Sequence, residues 1–410
     1  MSAEKLKPRI SCCSTLVHTG SLLTPSLSLA RRYFSSIQSK LVTKKITDHA
    51  LSPRFAYTAM HGIGGPFTTR SFTTFDLPPF LPVPSQFQPD ATFPTVSFPN
   101  PEEKGALDEA MKFSVESSCD IVLANDPDAD RLAIAEKDRK TNTWTVFKGD
   151  QIGVLLGTWM WDQFGKKSKA EGKQVAMLAS AVSSKMLKTV AEREGFIFEE
   201  TLTGFKWLGN RNLELQAEGN HVIFSYEEAI GFCCGDVVVD KDGVAAAGVF
   251  AEMACDVYAR GSTVKEHLQD LYTKYGEFVS NNGYYFCYDS KIALAIFDSM
   301  RNNGKYFEAV GGYKVTGIRD LGVPGFDSAT ADNKPVLPTS ASSPMISITF
   351  ENGTVAQFRA SGTEPKFKYY IEMAGKPGVA RATVEEDLQT MCAVILEELL
   401  KPSKNGLVTP

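Results

Sequence analysis

Asp126-Pro127-Asp128-Ala129-Asp130-Arg131 sets three carboxylates at every second position and closes them with a guanidinium, directly after the apolar segment Ile121-Val122-Leu123-Ala124. On a helix, side chains two positions apart diverge by roughly 200°, whereas a tight loop leaving a strand can turn alternate carboxylates toward one centre. Hard oxygen ligands at that spacing suit Mg²⁺, which takes octahedral oxygen sites and commonly bridges to phosphate. Without a cation the crowded carboxylates repel one another. The spacing therefore predicts a Mg²⁺ loop at Asp126, Asp128 and Asp130, with a solvated acidic turn as the alternative.

Other acidic-loop designs fit less well. An EF-hand beginning at Asp126 requires Gly at its sixth position and Glu at its twelfth, where this chain has Arg131 and Lys137. A haloacid-dehalogenase-type phosphotransferase also opens with a strand and Asp-x-Asp, but calls for Thr or Val at the place of Asp130. It also calls for Gly-Asp-x-x-x-Asp downstream, whereas Gly149-Asp150 is followed by Val154.

Three further loops carry chemistry. Arg359-Ala360-Ser361-Gly362-Thr363-Glu364-Pro365-Lys366 offers a guanidinium, two hydroxyls, a glycine that lets backbone N–H groups approach a ligand, and an ammonium. That combination holds a phosphate through bidentate Arg, hydroxyl and amide donors. Glu227-Glu228-Ala229-Ile230-Gly231 follows an apolar strand, where adjacent carboxylates can accept hydrogen bonds from vicinal sugar hydroxyls. Asp240-Lys241-Asp242-Gly243 precedes an apolar helix, so its Asp and Gly read as capping residues and Lys241 as a cation held at a helix start.

The elements that position these loops follow a regular rhythm. Residues 29–41 carry apolar side chains at helical spacing. A short strand, Phe55 to Met60, runs into the glycine-rich turn His61-Gly62-Ile63-Gly64-Gly65, and residues 77–101 are so dense in proline that they read as an extended surface connection. Strand, helix and strand then alternate through the acidic loop, and again from Gln174 to Ser225. From about Tyr313 the pattern changes to strands around an Asn352-Gly353 hairpin signal, ending in a helix. The expectation is an α/β protein: two α/β/α three-layer domains followed by a smaller C-terminal α+β domain.

Composition narrows the class. With 410 residues, 43% hydrophobic and 22% charged, the chain is an ordinary globular sequence of several domains. A net charge of -5 argues against a general nucleic-acid surface. The longest apolar stretches fall well short of the ~20 residues that cross a bilayer, so no membrane span is expected. Eight cysteines include the adjacent pairs Cys12-Cys13 and Cys233-Cys234, with no Cys-x-x-Cys spacing, which points to a reducing compartment. A cytoplasmic location is expected. The basic, Ser-rich start of the chain supplies the mitochondrial alternative.

Taken in order, Tyr57-Thr58-Ala59-Met60-His61-Gly62, the acidic loop, Thr203-Gly204-Phe205-Lys206-Trp207, the Glu pair and Arg359-x-Ser361-Gly362-Thr363 resemble the α-D-phosphohexomutase superfamily, and most nearly its phosphoglucomutase-2/phosphopentomutase branch, from about Arg32 onward. The resemblance implies an irregular N-terminus with a remnant helix (1–50), a metal-binding domain (51–168), a sugar-binding domain (169–290) and a phosphate-binding domain (305–405). It implies that Asp126, Asp128 and Asp130 bind Mg²⁺, that Arg131 lies beside the active centre, and that Lys241 acts as general acid or base. Thr203, Gly204, Lys206, Glu227 and Glu228 would bind the sugar, while Arg359, Ser361, Gly362 and Thr363, with Lys366, would grip the phosphate that is not transferred. Ala229 departs from relatives that carry Ser there.

The activity so implied is intramolecular phosphoryl transfer between C1 and C6 of glucose phosphate, or C1 and C5 of (deoxy)ribose phosphate, with sugar phosphates and bisphosphates as ligands. Family members carry the phosphoryl group on a serine in a Ser-His loop of a first domain, and no Ser-His pair occurs in this sequence. The expectation is therefore a mutase-type protein whose turnover alone is doubtful, which associates through the surface left by that domain. A non-catalytic sugar-phosphate-binding or regulatory subunit is the second reading. A phosphatase using Asp126 as nucleophile is the third.

Overall fold

The computed structural model describes residues 23–43, 49–361, 364–376 and 378–410. The chain divides into two compact units, one of Met1–Val175, Gln216–Ser225 and Ala229–Val264, the other of Ala176–Leu215, Tyr226–Glu228 and Lys265–Pro410, each taken over its described residues.

The first unit opens with helix α1 (Leu23–Lys40), whose Phe34 and Ile37 are buried, followed by strand β1 (Phe55–Thr58) and helix α2 (Gly64–Thr74). Strand β2 (Leu81–Pro82), helix α3 (Asp108–Glu116) and strands β3 (Ile121–Ala124), β4 (Ala133–Lys137) and β5 (Trp144–Val146) complete a sheet in the order β2-β1-β3-β4-β5. Strands β2, β1 and β3 run parallel, and β4 and β5 turn antiparallel. Every residue of β1 and β3 is buried, consistent with apolar strands covered on both faces. The proline-dense segment is more than a surface connection. Its Leu81 and Pro82 pair with β1, and Phe80, Val83 and Gln86 are buried. Proline at a sheet edge loses no ladder bond that the fold needs.

Helix α4 (Gly149–Met160) and the short helix α5 (Lys166–Ala170) precede a four-stranded sheet of β6 (Val175–Ser180), β7 (Ile197–Thr201), β8 (His221–Glu227) and β9 (Gly231–Cys234), in the order β7-β6-β8-β9. Helices α6 (Met186–Glu194) and α7 (Phe205–Ala217) connect its strands, and its residues fall in both units. Helix α8 (Gly243–Ala259) belongs to the first unit and packs on α2. A Cβ at Gly248 would stand 2.4 Å from the Phe75 ring, so the glycine is what lets the two helices approach.

Most of helix α9 (Val264–Tyr275) lies in the second unit, whose sheet comprises β10 (Phe278–Phe286), β11 (Ala309–Val310), β12 (Tyr313–Asp320), β13 (Phe326–Asp327), β14 (Met345–Phe350), β15 (Val355–Ala360) and β16 (Lys366–Ala374), with helices α10 (Ser290–Arg301) and α11 (Arg381–Leu400). The order is β10-β16-β15-β14-β12-β11, with β13 on β12. Gly353, at φ +85°, turns the expected β14–β15 hairpin. One boundary differs from the sequence reading. The stretch 278–286, expected to end the sugar-binding domain, pairs along its whole length with β16 and so belongs to the C-terminal sheet. Phe297, Phe350, Phe358, Phe367 and Ile371 form the centre of that sheet's core with Leu388, Met391 and Ile395 of α11.

A charged knot ties the elements of this unit. Glu200, at the end of β7, accepts from Lys185 at 2.7 Å and from Arg319 of β12 at 2.9 Å. Glu372 of β16 accepts the Lys185 backbone N–H at 2.7 Å, and Gln357 donates to the Ala181 carbonyl at 2.7 Å. Burial alone would raise the Glu200 carboxyl, but Lys185 and Arg319 outweigh it and hold it down to about 2. A carboxyl depressed from its ordinary value contributes stability above that value and loses it as pH falls toward 2. Between pH 5 and pH 2.5 the wild type should lose about 2 to 3 kcal/mol more than Glu200→Gln. Chemical denaturation at both pH values checks this, and parallel losses in the two proteins would refute it.

Candidate active site

The acidic loop is shaped by its main chain before its side chains matter. Ala129 adopts φ +61° and donates its N–H to the Asp126 carbonyl at 2.9 Å, closing a tight turn. Asn125, buried at the end of β3, donates from Nδ2 to the Arg131 carbonyl at 2.6 Å and accepts from the Tyr57 hydroxyl at 2.8 Å. The Arg131 N–H returns to Asp126 Oδ1 at 3.0 Å. Outside anchors then seat the loop. Ile63 N–H donates to the Pro127 carbonyl at 2.9 Å, Gly243 N–H to the Ala129 carbonyl at 3.1 Å, and Leu132 N–H to the Ile230 carbonyl at 3.1 Å.

Glycine makes these approaches feasible. A Cβ on Gly62 would lie 2.2 Å from Pro127 Cα, and one on Gly243 would lie 2.3 Å from the Arg131 carbonyl oxygen, distances that no real side chain tolerates. The preceding pair Met60 and His61 both take left-handed backbone, at φ 47° and 59°. His61 is fixed by a chain of side chains in which Thr58 donates to Gln86, Gln86 donates to Thr95, and the Thr95 hydroxyl meets His61 Nε2 at 2.8 Å. Sequence inspection singled out both the glycine-rich turn and the acidic loop, but not the contact between them.

Seated this way, Asp126, Asp128 and Asp130 present one ligand oxygen each, all within 4.8 Å of one another. Asp126 is buried, Asp130 half-buried and Asp128 exposed, so the cluster opens on one side. Burial, with the neighbouring carboxylates Asp130 and Asp128, pushes the Asp126 carboxyl up to about 6 despite the Arg131 N–H. Asp130 Oδ1 is buried with no hydrogen-bond partner. A buried anionic oxygen left in that state is costly unless a cation completes it. Three hard oxygens and one orphaned acceptor fit a divalent cation. The same geometry disfavours Asp126 as a nucleophile, since it is 6% exposed and its Oδ1 is engaged by the Arg131 N–H.

Two cations flank the cluster. Arg131 Nε lies 3.5 Å from Asp126 Oδ2 and 3.8 Å from Asp130 Oδ1, and Lys241 Nζ sits 2.9 Å from Asp130 Oδ2. Asp242 caps α8 by accepting the Ala245 N–H at 2.9 Å, and both of its oxygens lie 2.8 Å from the Tyr33 hydroxyl of α1. Tyr33 thus fixes the turn that carries Lys241. Nothing in residue spacing could have found it, because it lies 209 positions from Asp242.

In the second unit, the loop before α7 places Gly204 at φ +102°, a conformation that glycine supplies without strain, and its carbonyl accepts the Trp207 N–H at 2.9 Å. Thr203 is half-buried and Lys206 exposed, with the Lys206 ammonium 5.7 Å from the Trp207 ring centre. Glu227 and Glu228 follow at the end of β8, both half-buried. Ser180 donates to Glu228 Oε2 at 2.8 Å, and Ser183 lies 3.4 Å from the same oxygen. Neither serine is given a role in the sequence analysis. Their fully or nearly buried hydroxyls hold one oxygen of the second carboxylate.

Arg359 is the penultimate residue of β15 and Lys366 begins β16, so the phosphate-type loop is the hairpin between two adjacent strands. Ser361 N–H donates to the Lys366 carbonyl at 2.9 Å, and Cys287 N–H holds the Pro365 carbonyl at 2.8 Å. Lys366 Nζ pairs with Glu364 at 2.9 Å and stacks 4.4 Å above the Tyr284 ring. Gly362 and Thr363 lie outside the described residues.

Comparison with known proteins agrees with this arrangement. The family model described as phosphoglucomutase/phosphomannomutase, alpha/beta/alpha domain II, matches residues 31–140, and the one for domain III matches residues 148–275, together more than half of the chain. The chain is 42% identical over 401 residues to a human phosphopentomutase, covering 96% of this chain and 65% of that protein. It is 42% identical over 391 residues to a human glucose 1,6-bisphosphate synthase, covering 94% and 62%. It therefore spans a little under two thirds of the length of these relatives. Among solved structures, the phosphoglucomutase pp63/parafusin from Paramecium aligns with TM-score 0.64 at 20% identity, over 94% of this chain and 63% of that one, a likeness of fold. The ordered loops, the two family-model matches and these relatives together place this chain in the α-D-phosphohexomutase superfamily.

Proposed function

We propose that this chain carries the cation, sugar and phosphate elements of a phosphosugar mutase. The reaction is phosphoryl transfer between C1 and C6 of a glucose phosphate, or C1 and C5 of a ribose or deoxyribose phosphate, by way of a bisphosphate. The observation that carries the reading is the three-carboxylate cluster with its orphaned Asp130 oxygen, set between Arg131 and Lys241. Mg²⁺ held by Asp126, Asp128 and Asp130 would supply positive charge to a phosphoryl group. Arg131 and Lys241 would offer donors to the same anion, and Lys241 would move the proton of the sugar hydroxyl.

Thr203, Gly204, Lys206, Glu227 and Glu228 would hold the sugar, and the serine-braced Glu228 keeps one oxygen fixed in direction. Arg359, Ser361, Gly362 and Thr363, with Lys366, would hold the second phosphate. A loop that grips through phosphate can accept either end of the sugar, which leaves sugar identity to the Glu pair. A second reading, in which the chain binds sugar phosphates without turning them over, uses the same cation, sugar and phosphate loops.

Two measurements test these assignments. Calorimetric titration with Mg²⁺ should show one site, weakened about 10- to 100-fold in Asp128→Asn, and similarly in Gly62→Ala, where the ligands are intact but their loop is displaced. Undiminished affinity in Gly62→Ala would show that the seating of the loop is irrelevant to the site. For the ligand, glucose 1,6-bisphosphate should bind the Mg²⁺-loaded protein and lose about 2 to 4 kcal/mol of affinity in Arg359→Ala. Conversion of glucose 1-phosphate or ribose 1-phosphate by the pure chain decides between the mutase and binding readings. Failure to bind any sugar phosphate would end both.

A further inference from the structure

Ser180 ends β6 fully buried, and its hydroxyl donates to Glu228 Oε2 at 2.8 Å. Ser183 stands 2.8 Å from the Ser180 oxygen and 3.4 Å from the same carboxylate oxygen. Each hydroxyl has one proton to give. Ser180 gives its own to Glu228, so the Ser183 proton goes either to Ser180 or directly to Glu228, and both chains end on Oε2. Among the described residues Oε1 accepts no hydrogen bond, which leaves it to a ligand.

The turn that carries these serines is gripped from its other side by the C-terminal sheet. Gln357 of β15, itself buried, donates from Nε2 to the Ala181 carbonyl at 2.7 Å, and Glu372 of β16 accepts the Lys185 N–H at 2.7 Å. The Lys185 ammonium closes the turn onto the Ala181 and Ser183 carbonyls at 2.7 and 3.2 Å. Ala181 and Val182 pack with Leu321, Met345 and Tyr370. Gln357 and Arg359 are alternate residues of one strand and so share a face of the sheet, while Met345 is the ladder partner of Arg359. A continuous path of packed groups therefore runs from Glu228 through residues 180–185 to the root of the phosphate hairpin, all within the second unit. Close-packed groups transmit displacement instead of absorbing it.

We propose that the turn 180–185 is a spacer that fixes the separation between Glu228 and Arg359, with Ser180 and Gln357 as its positioning residues, and that this separation selects sugar phosphates by the length of carbon chain between phosphate and hydroxyls. The proposal rests on the reading of Glu228 as a sugar contact and Arg359 as a phosphate contact. A ligand of matching length meets both at once, whereas a shorter or longer one reaches both only by moving the buried turn. Loosening either end of the spacer weakens the matching ligand and narrows the discrimination.

Isothermal titration calorimetry of the full chain with glucose 6-phosphate, ribose 5-phosphate and inorganic phosphate tests this. The wild type should prefer one of the two sugar phosphates by about tenfold or more. Ser180→Ala should weaken that ligand about tenfold, bring the ratio of the two toward one, and leave inorganic phosphate within roughly twofold of wild type. Gln357→Leu, which keeps the bulk and removes the donor to Ala181, should narrow the ratio in the same way. In the double variant the losses should be less than additive, because both residues act through one turn. Equal binding of the two sugar phosphates by the wild type, an unchanged ratio in the variants, a parallel loss for inorganic phosphate in Ser180→Ala, or additive losses in the double variant overturns the proposal and leaves the two contacts standing. Absence of sugar-phosphate binding by the wild type, or undiminished binding in Glu228→Ala, removes the underlying reading and the proposal together.

Discussion

The candidate site of the first unit depends on the contact of bare main chain with bare main chain around residues 126–131. Gly62 against Pro127 and Gly243 against the Arg131 carbonyl are approaches that exclude even a methyl group. They bring the end of β1, the turn after β3 and the start of α8 to one point. Once these are in register, the carboxylates converge with no side-chain adjustment, and Lys241 arrives as the residue two before Gly243. The strain of the left-handed Met60–His61 pair is borne by the His61-Thr95-Gln86-Thr58 chain of hydrogen bonds, which lies partly in the proline-dense segment. That segment is therefore a brace for the turn as well as a connection.

The second unit is held by a different kind of force. There the end of β7, the turn after β6 and the sheet strands β12 and β16 meet through charge, with Lys185, Glu200, Arg319 and Glu372 in one half-buried group. Such a group contributes less to net stability than to uniqueness, since alternative packings would strand a buried charge. It also stands directly before the Thr203–Trp207 loop, so the group that locks the packing sets the starting point of that loop.

Much of this was legible in the residues. The alternation of carboxylates after an apolar strand, the Asn-Gly hairpin and the helical apolar spacing of α1 are local patterns, and the structure realises each near its expected place. What escaped notice depends on partners distant in the chain. Ser180 and Ser183 meet Glu228 across more than forty residues, Tyr33 meets Asp242 across 209, and a glycine's close approach has no signature beyond the glycine itself. Strand β10 was misassigned because nothing in Phe278–Phe286 says which sheet will accept it, and its partner β16 begins eighty positions further on. The proline-dense segment misled for the opposite reason. Proline speaks against a central strand but says nothing against an edge one.

The acidic loop takes its shape from amides, carbonyls and glycines, with the Asp126 carboxylate tied in by the Arg131 N–H, and the carboxylates of Asp128 and Asp130 are guests on that frame rather than struts of it. Shape and ligand identity can therefore vary independently in descent. Substitutions at 128 or 130 can retune which ion is preferred, or remove ion binding, while the surrounding architecture persists. The reverse path is closed, because a single methyl group at 62 or 243 disturbs the frame without touching a ligand. A lineage that abandoned the chemistry would thus be expected to lose its aspartates long before it lost its glycines.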